Sequence, residues 1–416
     1  MNARARPYDA IVVGARCAGS TTAMLLARKG YRVLLVDKAT FPSDTMSTHI
    51  IHPPGVAALE RWNLLHRLLV TGCPPLNQYS FDLGPFTIRA PVAASDASGF
   101  GLCPRRTVLD QLLVTAAVDA GVELQQGVAV DEILIEGGKV TGIQGRAKGN
   151  QPFTQHARVV IGADGMRSLV AKAVDAPRYN ARPTIAVGYY AYWSGLPAAG
   201  FEAHLRPRRA FAIAPTNDGL TMAVVNWPRS EFLSNRGDVE GHFERAVELA
   251  PALAARLRRA KRESRFVGTG DLPNFFRKPY GPGWVLVGDA GYHKDPITAQ
   301  GISDAFRDAE AMARALDDVF ADRATFDDAL CAYQRVRDEA ALPMFDLTCE
   351  FANLEEPPPP HKQQLLAAIH GNPAAMRGFV GTIAGVVSPD RVLRRAERRA
   401  HHGPRRRGGS SIGNAT

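Results

Sequence analysis

The sequence predicts an α/β fold: a parallel-sheet domain assembled from discontinuous stretches of chain, an antiparallel sheet domain, and a helical C-terminal region. Three observations carry this. Residues 8–37 read as strand, glycine turn, helix and strand, a βαβ unit whose parallel pair requires a right-handed crossover. Two later apolar runs, in "ARVVIGADG" and "GWVLVGD", end in turns that set an aspartate beside a glycine. Between them, from about 180 to 280, "TIAVGYYAYW", "RAFAIAP" and "LTMAVVNWP" alternate aromatic and small residues, as a half-buried antiparallel sheet does.

Each element follows from its own stretch. Tyr8 to Val13 is a short apolar, β-branched run, and the helix in "STTAMLLARKG" shows an apolar face of Ala23, Met24, Leu26 and Ala27 before Gly30 caps it. "YRVLLVD" is the second buried strand. An amphipathic helix spans Thr107 to about Ala120 with Gly121 at its end, and "VELQQGVAVDEILIEGGKVTGIQG" reads as strands with a hairpin at Gly137 and Gly138. One helix near 238–259 interrupts the middle sheet. After "GWVLVGD" come two helical stretches, "GISDAFRDAEAMARALDDVF" and "FDDALCAYQRVRDEAALPMFDLTCEF", broken by Pro357 to Pro360. The expected boundaries are 7–180 with 276–345 for the discontinuous domain, interleaved with sheet-domain segments near 75–105; 181–275 for the antiparallel sheet; 346–390 for C-terminal helices; and 391–416 for a basic tail.

Composition narrows the class. A chain of 416 residues with 45% hydrophobic content can bury two or three cores. Its formal charge is +9, but eight arginines against Glu397 between Arg391 and Arg407 leave the body near neutral. The tail reads as a solvated, disordered end, with an electrostatic contact to nucleic acid or anionic lipid as the alternative; a nucleic-acid partner for the body is not expected. Cys17, Cys73, Cys103, Cys331 and Cys349 are odd in number and scattered, without metal-ligand spacing, which reads as reduced thiols in a cytoplasmic protein with no metal site. No apolar run reaches the length of a transmembrane segment or a signal-peptide core.

The turn "GARCAG" sets Gly14 and Gly19 where a dinucleotide fingerprint wants its first and third glycines, for the tight turn and for helix–strand packing. The middle position is Arg16. Its Cβ should crowd a pyrophosphate, while its guanidinium could swing out to contact the phosphates or the adenosine half; a plain strand-to-helix turn is the alternative. Asp37 ends the second strand 23 residues after Gly14, where a carboxylate accepts both hydroxyls of an adenosine ribose. The Asp-Gly turns, at Asp164 with Gly165 and at Gly288 with Asp289, present carboxylates at strand carboxyl ends. Gly301 and Ile302 open a helix whose amide end suits an anion or an electron-rich ring edge.

Taken in this order, the three segments resemble those of the FAD-dependent class A monooxygenases, the para-hydroxybenzoate hydroxylase-like enzymes, in a superfamily that also holds geranylgeranyl reductases and flavin-dependent halogenases. The resemblance implies a Rossmann-like FAD-binding domain built from discontinuous segments and an antiparallel β-sheet domain on the substrate side. By it, the first motif, with Ala18, and with Lys38 beside Asp37, holds the ADP half of FAD. Gly162 to Ser168 matches G-A-D-G-x-x-S, and Asp289 holds the ribityl chain. Pro296 and Gly301 match the third motif's second proline and final glycine. That motif departs from the family at Tyr292 for histidine, Asp295 for the first proline and Thr298 for a glycine beside the ring. In the R-x-x-L pattern Arg106 reaches the flavin phosphates or ribityl, with Arg105 the alternative, and Thr48 and His49 pass nearest the isoalloxazine.

The resemblance implies that NAD(P)H reduces FAD transiently, that O₂ adds to give a flavin hydroperoxide, and that an aromatic or polyketide-like substrate is hydroxylated or epoxidised. His293, with His52 behind it, is the candidate acid or base; each histidine taken alone reads first as a packed, hydrogen-bonding residue. Tyr189, Tyr190, Tyr192 and Trp193 either line an aromatic pocket or belong to the core. The rivals are a reductase acting on a carbon–carbon double bond, which "FPSDTMSTHI" resembles comparably; a halogenase, whose W-x-W-x-I-P is echoed only by "YWSGLP"; and a non-enzyme flavin scaffold with a nucleic-acid-binding tail.

Overall fold

In the computed structural model, which describes residues 7–92 and 99–390, the first two apolar runs form β1 (Tyr8–Val13) and β2 (Val33–Asp37), joined by α1 (Cys17–Ala27). They pair in parallel, with Ala10 opposite Val33 and Val13 opposite Val36. Ala10, Val12 and Leu35 face one buried layer; Ile11, Val13, Leu34 and Val36 face another. Burial on both faces is why these strands are apolar throughout instead of alternating with polar residues.

Next come α2 (Pro53–Arg61) and α3 (Leu65–Leu69), two short helices the sequence reading did not anticipate. β3 (Gln78–Asp82) and β4 (Thr87–Pro91) pair as a hairpin in the second sheet. α4 (Arg106–Asp119) returns the chain to the first sheet, followed by β5 (Glu123–Gln126), β6 (Ala129–Glu136), β7 (Lys139–Ala147) and β8 (Gln151–Gly162). Gly137 and Gly138 make the β6–β7 turn, both at positive φ. The sheet runs Tyr280–Gly281, Trp284–Leu286, β8, β1, β2, β5, and from Trp284–Leu286 to β5 it is parallel. β6 and β7 attach to β8 as an antiparallel flap that covers the face opposite α1 and α9 (Gly301–Phe320).

α5 (Leu169–Ala173) and β9 (Arg178–Arg182) lead into the second sheet, formed by β10 (Ala186–Ser194), β11 (Phe201–Arg206), β12 (Arg209–Pro215) and β13 (Thr221–Pro228). Its order is Lys261–Arg262, β10, β13, β12, β11, β3, β4, with Val267–Thr269 also on β10. It is antiparallel except where β3 enters parallel to β11, because β3 arrives from the other domain. After α6 (Phe232–Asn235), the single helix expected near 238–259 is two: α7 (Val239–Val247) and α8 (Pro251–Leu257). Pro251 forces the last break, since it lacks the N–H that a continuing helix would use. α7 and α8 cover one face through Phe243, Leu253 and Leu257. The other face is covered by α10 (Phe326–Ala352), which runs unbroken through residue 345, where a boundary was expected, and by α12 (Pro373–Ile383) after α11 (Pro360–Ile369). The basic tail 391–416 lies outside the described residues. Among those described, no helix is long and apolar enough to cross a membrane.

Candidate functional site

Four parallel strands end at one place, the carboxyl edge where open α/β sheets bind ligands. β1 delivers Gly14, β2 delivers Asp37, β8 delivers Asp164 and Gly165, and Trp284–Leu286 delivers Gly288 and Asp289; all line one cavity of about 630 Å³. The first turn is tight because it must be. Gly14 has φ +103°, and a Cβ on it would stand 2.5 Å from the Ala163 carbonyl oxygen. A Cβ on Gly19 would stand 1.7 Å from the Gly14 oxygen, so Gly19 packs beneath the turn and is not on the cavity wall, whereas Ala18 is. The Asp37 carboxylate accepts the Ala15 N–H at 2.7 Å and the Ala39 N–H at 2.8 Å, which fixes it at the wall beside Lys38.

Arg16 is accommodated by a partner that the sequence reading missed. Its Nη1 lies 2.6 Å from Asp110 Oδ2 and its Nη2 donates to Ser43 Oγ at 2.8 Å, with the guanidinium over Phe41. The guanidinium swings toward α4, and Arg16 still lines the cavity. Asp110, fully buried, also takes both ends of the Arg106 fork at 2.9–3.1 Å. Arg106, not Arg105, lines the cavity; Arg105 instead pairs with Asp218 and lies over Tyr192. Burial lowers the Arg106 pKa, but the neighbouring Cys17, Asp110 and Asp289 outweigh it and hold the guanidinium charged.

The arrangement fits FAD. No side chain caps the first amides of α1 or α9, so both helix ends offer donors to an anion or ring edge. Asp164 Oδ2 takes the Leu169 amide at 2.6 Å, while its Oδ1 is buried without a donor among the described residues, and burial pushes its carboxyl up. A Cβ at Gly165 or Gly301 would meet nothing within 4 Å, leaving open space along the wall for a flat group. Thr48, Pro296, Gly301 and Ile302 line the same cavity. Thr298, in place of a glycine, turns away and pairs with Thr348 at 2.6 Å.

The histidines separate. His293 lines the cavity with Nδ1 on the Pro273 carbonyl at 2.5 Å. His52, expected behind it as an acid or base, is off the cavity with both ring nitrogens used, by Tyr79 OH at 2.9 Å and the Thr298 carbonyl at 3.0 Å. Burial pulls its pKa down to about 4, so it is neutral near pH 7. His49 is likewise turned inward, 2.7 Å from Tyr192 OH, and burial lowers it to about 3. Tyr190 is on the wall, whereas Tyr192 is taken by His49 and Trp193 stacks on Phe243 in the core; Tyr189 reaches the cavity edge with its ring on Trp227.

Two further features escaped the sequence reading. Lys294 is paired with Asp304 on α9, and Arg307 joins them at 2.7 Å. Burial pushes the Asp304 carboxyl up, but the two cations outweigh it and hold the pKa at about 2. Across the cavity, Gly188 on β10 and Asn226 on β13 face each other beside Tyr190 and Val224. Among the described residues no cluster of histidine, cysteine and acidic side chains is placed to hold a metal.

The family pattern described as FAD binding domain matches residues 7–348. A digeranylgeranylglycerophospholipid reductase of Methanocella arvoryzae is 26% identical over 316 residues, 72% of this chain and 74% of that protein. A rifampicin monooxygenase of Rhodococcus hoagii is 26% identical over 313 residues, 72% of this chain and 62% of that protein. The structure of the flavin-dependent brominase Bmp2 superposes with a TM-score of 0.80 at 18% identity, over 95% of this chain and 100% of that one. Since the family match runs from the start of β1 through most of α10, the chain belongs to the FAD binding domain family, as an FAD-dependent oxidoreductase of the monooxygenase superfamily.

Proposed function

We propose that this chain is an NAD(P)H- and O₂-using monooxygenase that hydroxylates or epoxidises a small organic substrate, aromatic or polyketide-like. One observation carries the reading: the cavity that begins at Asp37 continues past the Pro296–Gly301 turn to the second sheet, so one space holds both a nucleotide cradle and a substrate wall. Bound FAD would be held by Gly14, Asp37, Arg106, Asp164 and Asp289 and supplies the electron transfer and oxygen activation that side chains cannot. The protein's own task is to orient substrate and exclude water. Tyr190, Val224 and Leu272 give the substrate end an apolar lining, and Pro296, Gln300 and Gly301 lie on the wall of the same space. His293, on the cavity wall, is the proposed proton donor or acceptor there; no side chain need bond covalently to substrate.

The test is turnover by FAD-loaded protein over a panel of phenols, polyketides and alkenes, following NAD(P)H oxidation, O₂ uptake and peroxide release together. Substrate-dependent O₂ uptake with little peroxide supports the proposal. Anaerobic saturation of an alkene with no O₂ consumed replaces it with a double-bond reductase; the Methanocella arvoryzae relative is named as a reductase. Asp289→Ala should release the flavin, and full retention of yellow colour contradicts the assigned cradle.

A further inference from the structure

The substrate end of the cavity holds a polar side chain whose oxygen accepts from no donor among the described residues. Asn226 is 6% exposed, in the middle of β13, where every other side chain is apolar, a threonine or a proline. Its Nδ2 points to the Ala210 carbonyl at 3.4 Å, which turns Oδ1 the other way, over Gly188. A Cβ at Gly188 would stand 2.9 Å from that oxygen. Oδ1 has no hydrogen-bond donor among the described residues, and both Asn226 and Gly188 are on the cavity wall. Oδ1 therefore opens onto the cavity, where the O–H or N–H of a ligand can complete it.

The surroundings select what can complete it. The side chains on the same face of the sheet are Tyr190 and Val224, and the neighbouring strand adds Thr269, whose Oγ1 already accepts the Asp271 N–H at 3.1 Å. Tyr190 is edge-on to His49 at 5.2 Å, and burial pushes its phenol up to about 12, so it is uncharged at any working pH. Of the nearer charged groups, Lys294 is committed to Asp304, and the Asp295 carboxyl is pushed up to about 6 by burial. This part of the wall thus offers an acceptor flanked by flat and branched apolar groups, and the Lys294 ammonium near it is already held by Asp304.

We propose that Asn226 Oδ1 is the specificity-determining acceptor of this cavity, taking an O–H or N–H at the edge of a flat, uncharged ring, and that Gly188 is glycine to leave the amide room. The proposal rests on the flavoprotein reading above and narrows its substrate class to donor-bearing neutral rings such as phenols and N–H heterocycles. Carboxylated rings and rings whose donor is blocked by a methyl group are disfavoured.

The experiment uses FAD-loaded protein and the perturbation of flavin absorbance by matched probes: phenol against anisole, and indole against N-methylindole. The wild type should bind each donor-bearing probe about tenfold more tightly than its blocked partner, the size of one hydrogen bond. Asn226→Leu should abolish that preference while flavin content stays intact. Asn226→Asp, which keeps an acceptor in place, should retain the preference, and Gly188→Ala should reduce it by displacing the amide, so the proposal is testable even if the leucine variant fails to fold. Wild type that binds both members of each pair equally, or binds neither, overturns the inference, as does a preference that survives Asn226→Leu. A chain that takes up no FAD at all overturns the flavoprotein reading instead, a distinct result.

Discussion

Arg16 and Arg106 share one carboxylate. Asp110 is fully buried, the side chain of Arg106 is 9% exposed and that of Arg16 is 27% exposed. Removing Arg16 leaves the Arg106–Asp110 fork whole, so Arg16→Ala should cost only about 1 kcal/mol, in the range of a partly exposed ion pair. Removing the charge of Asp110 leaves two guanidiniums facing each other in a dry site, and Asp110→Asn should cost roughly 3 kcal/mol or more. Urea unfolding of the two variants measures this directly, and equal costs would show that the carboxylate is not shared. The Arg106–Asp110 half was legible in the sequence, because residues four apart on a helix face the same way. The Arg16–Asp110 half was not, since 94 residues separate the partners and only the packing of α1 on α4 joins them. The same holds for His49 and His52: their segment was placed correctly beside the cavity, yet which way each ring turned depended on Tyr192 and Tyr79, in strands of the other sheet.

At the scale of elements, the site is a set of strand-to-helix turns whose glycines do different work. Gly14 is needed for its conformation and for its contact with Ala163, whereas Gly301 opens α9 beside empty space. Gly14→Ala should therefore lower both the stability of the FAD-free protein and its uptake of FAD, with the left-handed backbone alone costing about 1–2 kcal/mol. Gly301→Ala should leave the FAD-free protein as stable or slightly more so, since alanine favours a helix, while a methyl group in the cradle weakens FAD uptake. Thermal melts of both variants with and without FAD separate the two effects; a Gly301→Ala protein with unchanged FAD affinity would contradict the cradle. Elements with strong periodicity were readable to the residue, as at Tyr8–Val13 and Gly301–Phe320. What escaped were α2 and α3, five to nine residues long, and the parallel entry of β3 beside β11, because no local pattern encodes a partner more than a hundred residues away.

At the scale of the whole molecule, the seam between the two sheets is lined by buried titratable groups whose pKa values are displaced in opposite directions, and this sets how stability responds to pH. His52, lowered to about 4 by burial, stays neutral in the folded chain while the unfolded chain gains a proton below about 6.5. Its contribution is therefore present above that pH and is lost as pH falls through 4. Asp295, raised to about 6 by burial, behaves oppositely: the folded chain holds a proton that the unfolded chain has given up above about 3.8. That contribution is full below 3.8 and is lost as pH rises through 6. Each shift is about two units, or about 3 kcal/mol at the far end of its window. Over pH 4.5 to 7.5 the two slopes partly cancel in the wild type, and single variants expose them. His52→Gln, which can still reach Tyr79 and Thr298, should gain stability relative to the wild type as pH is lowered. Asp295→Asn should gain relative to the wild type as pH is raised. Urea midpoints of the FAD-loaded proteins at pH 4.5, 6 and 7.5 should give difference curves that slope in opposite directions. Parallel curves would mean that water reaches both groups and that the seam is not dry.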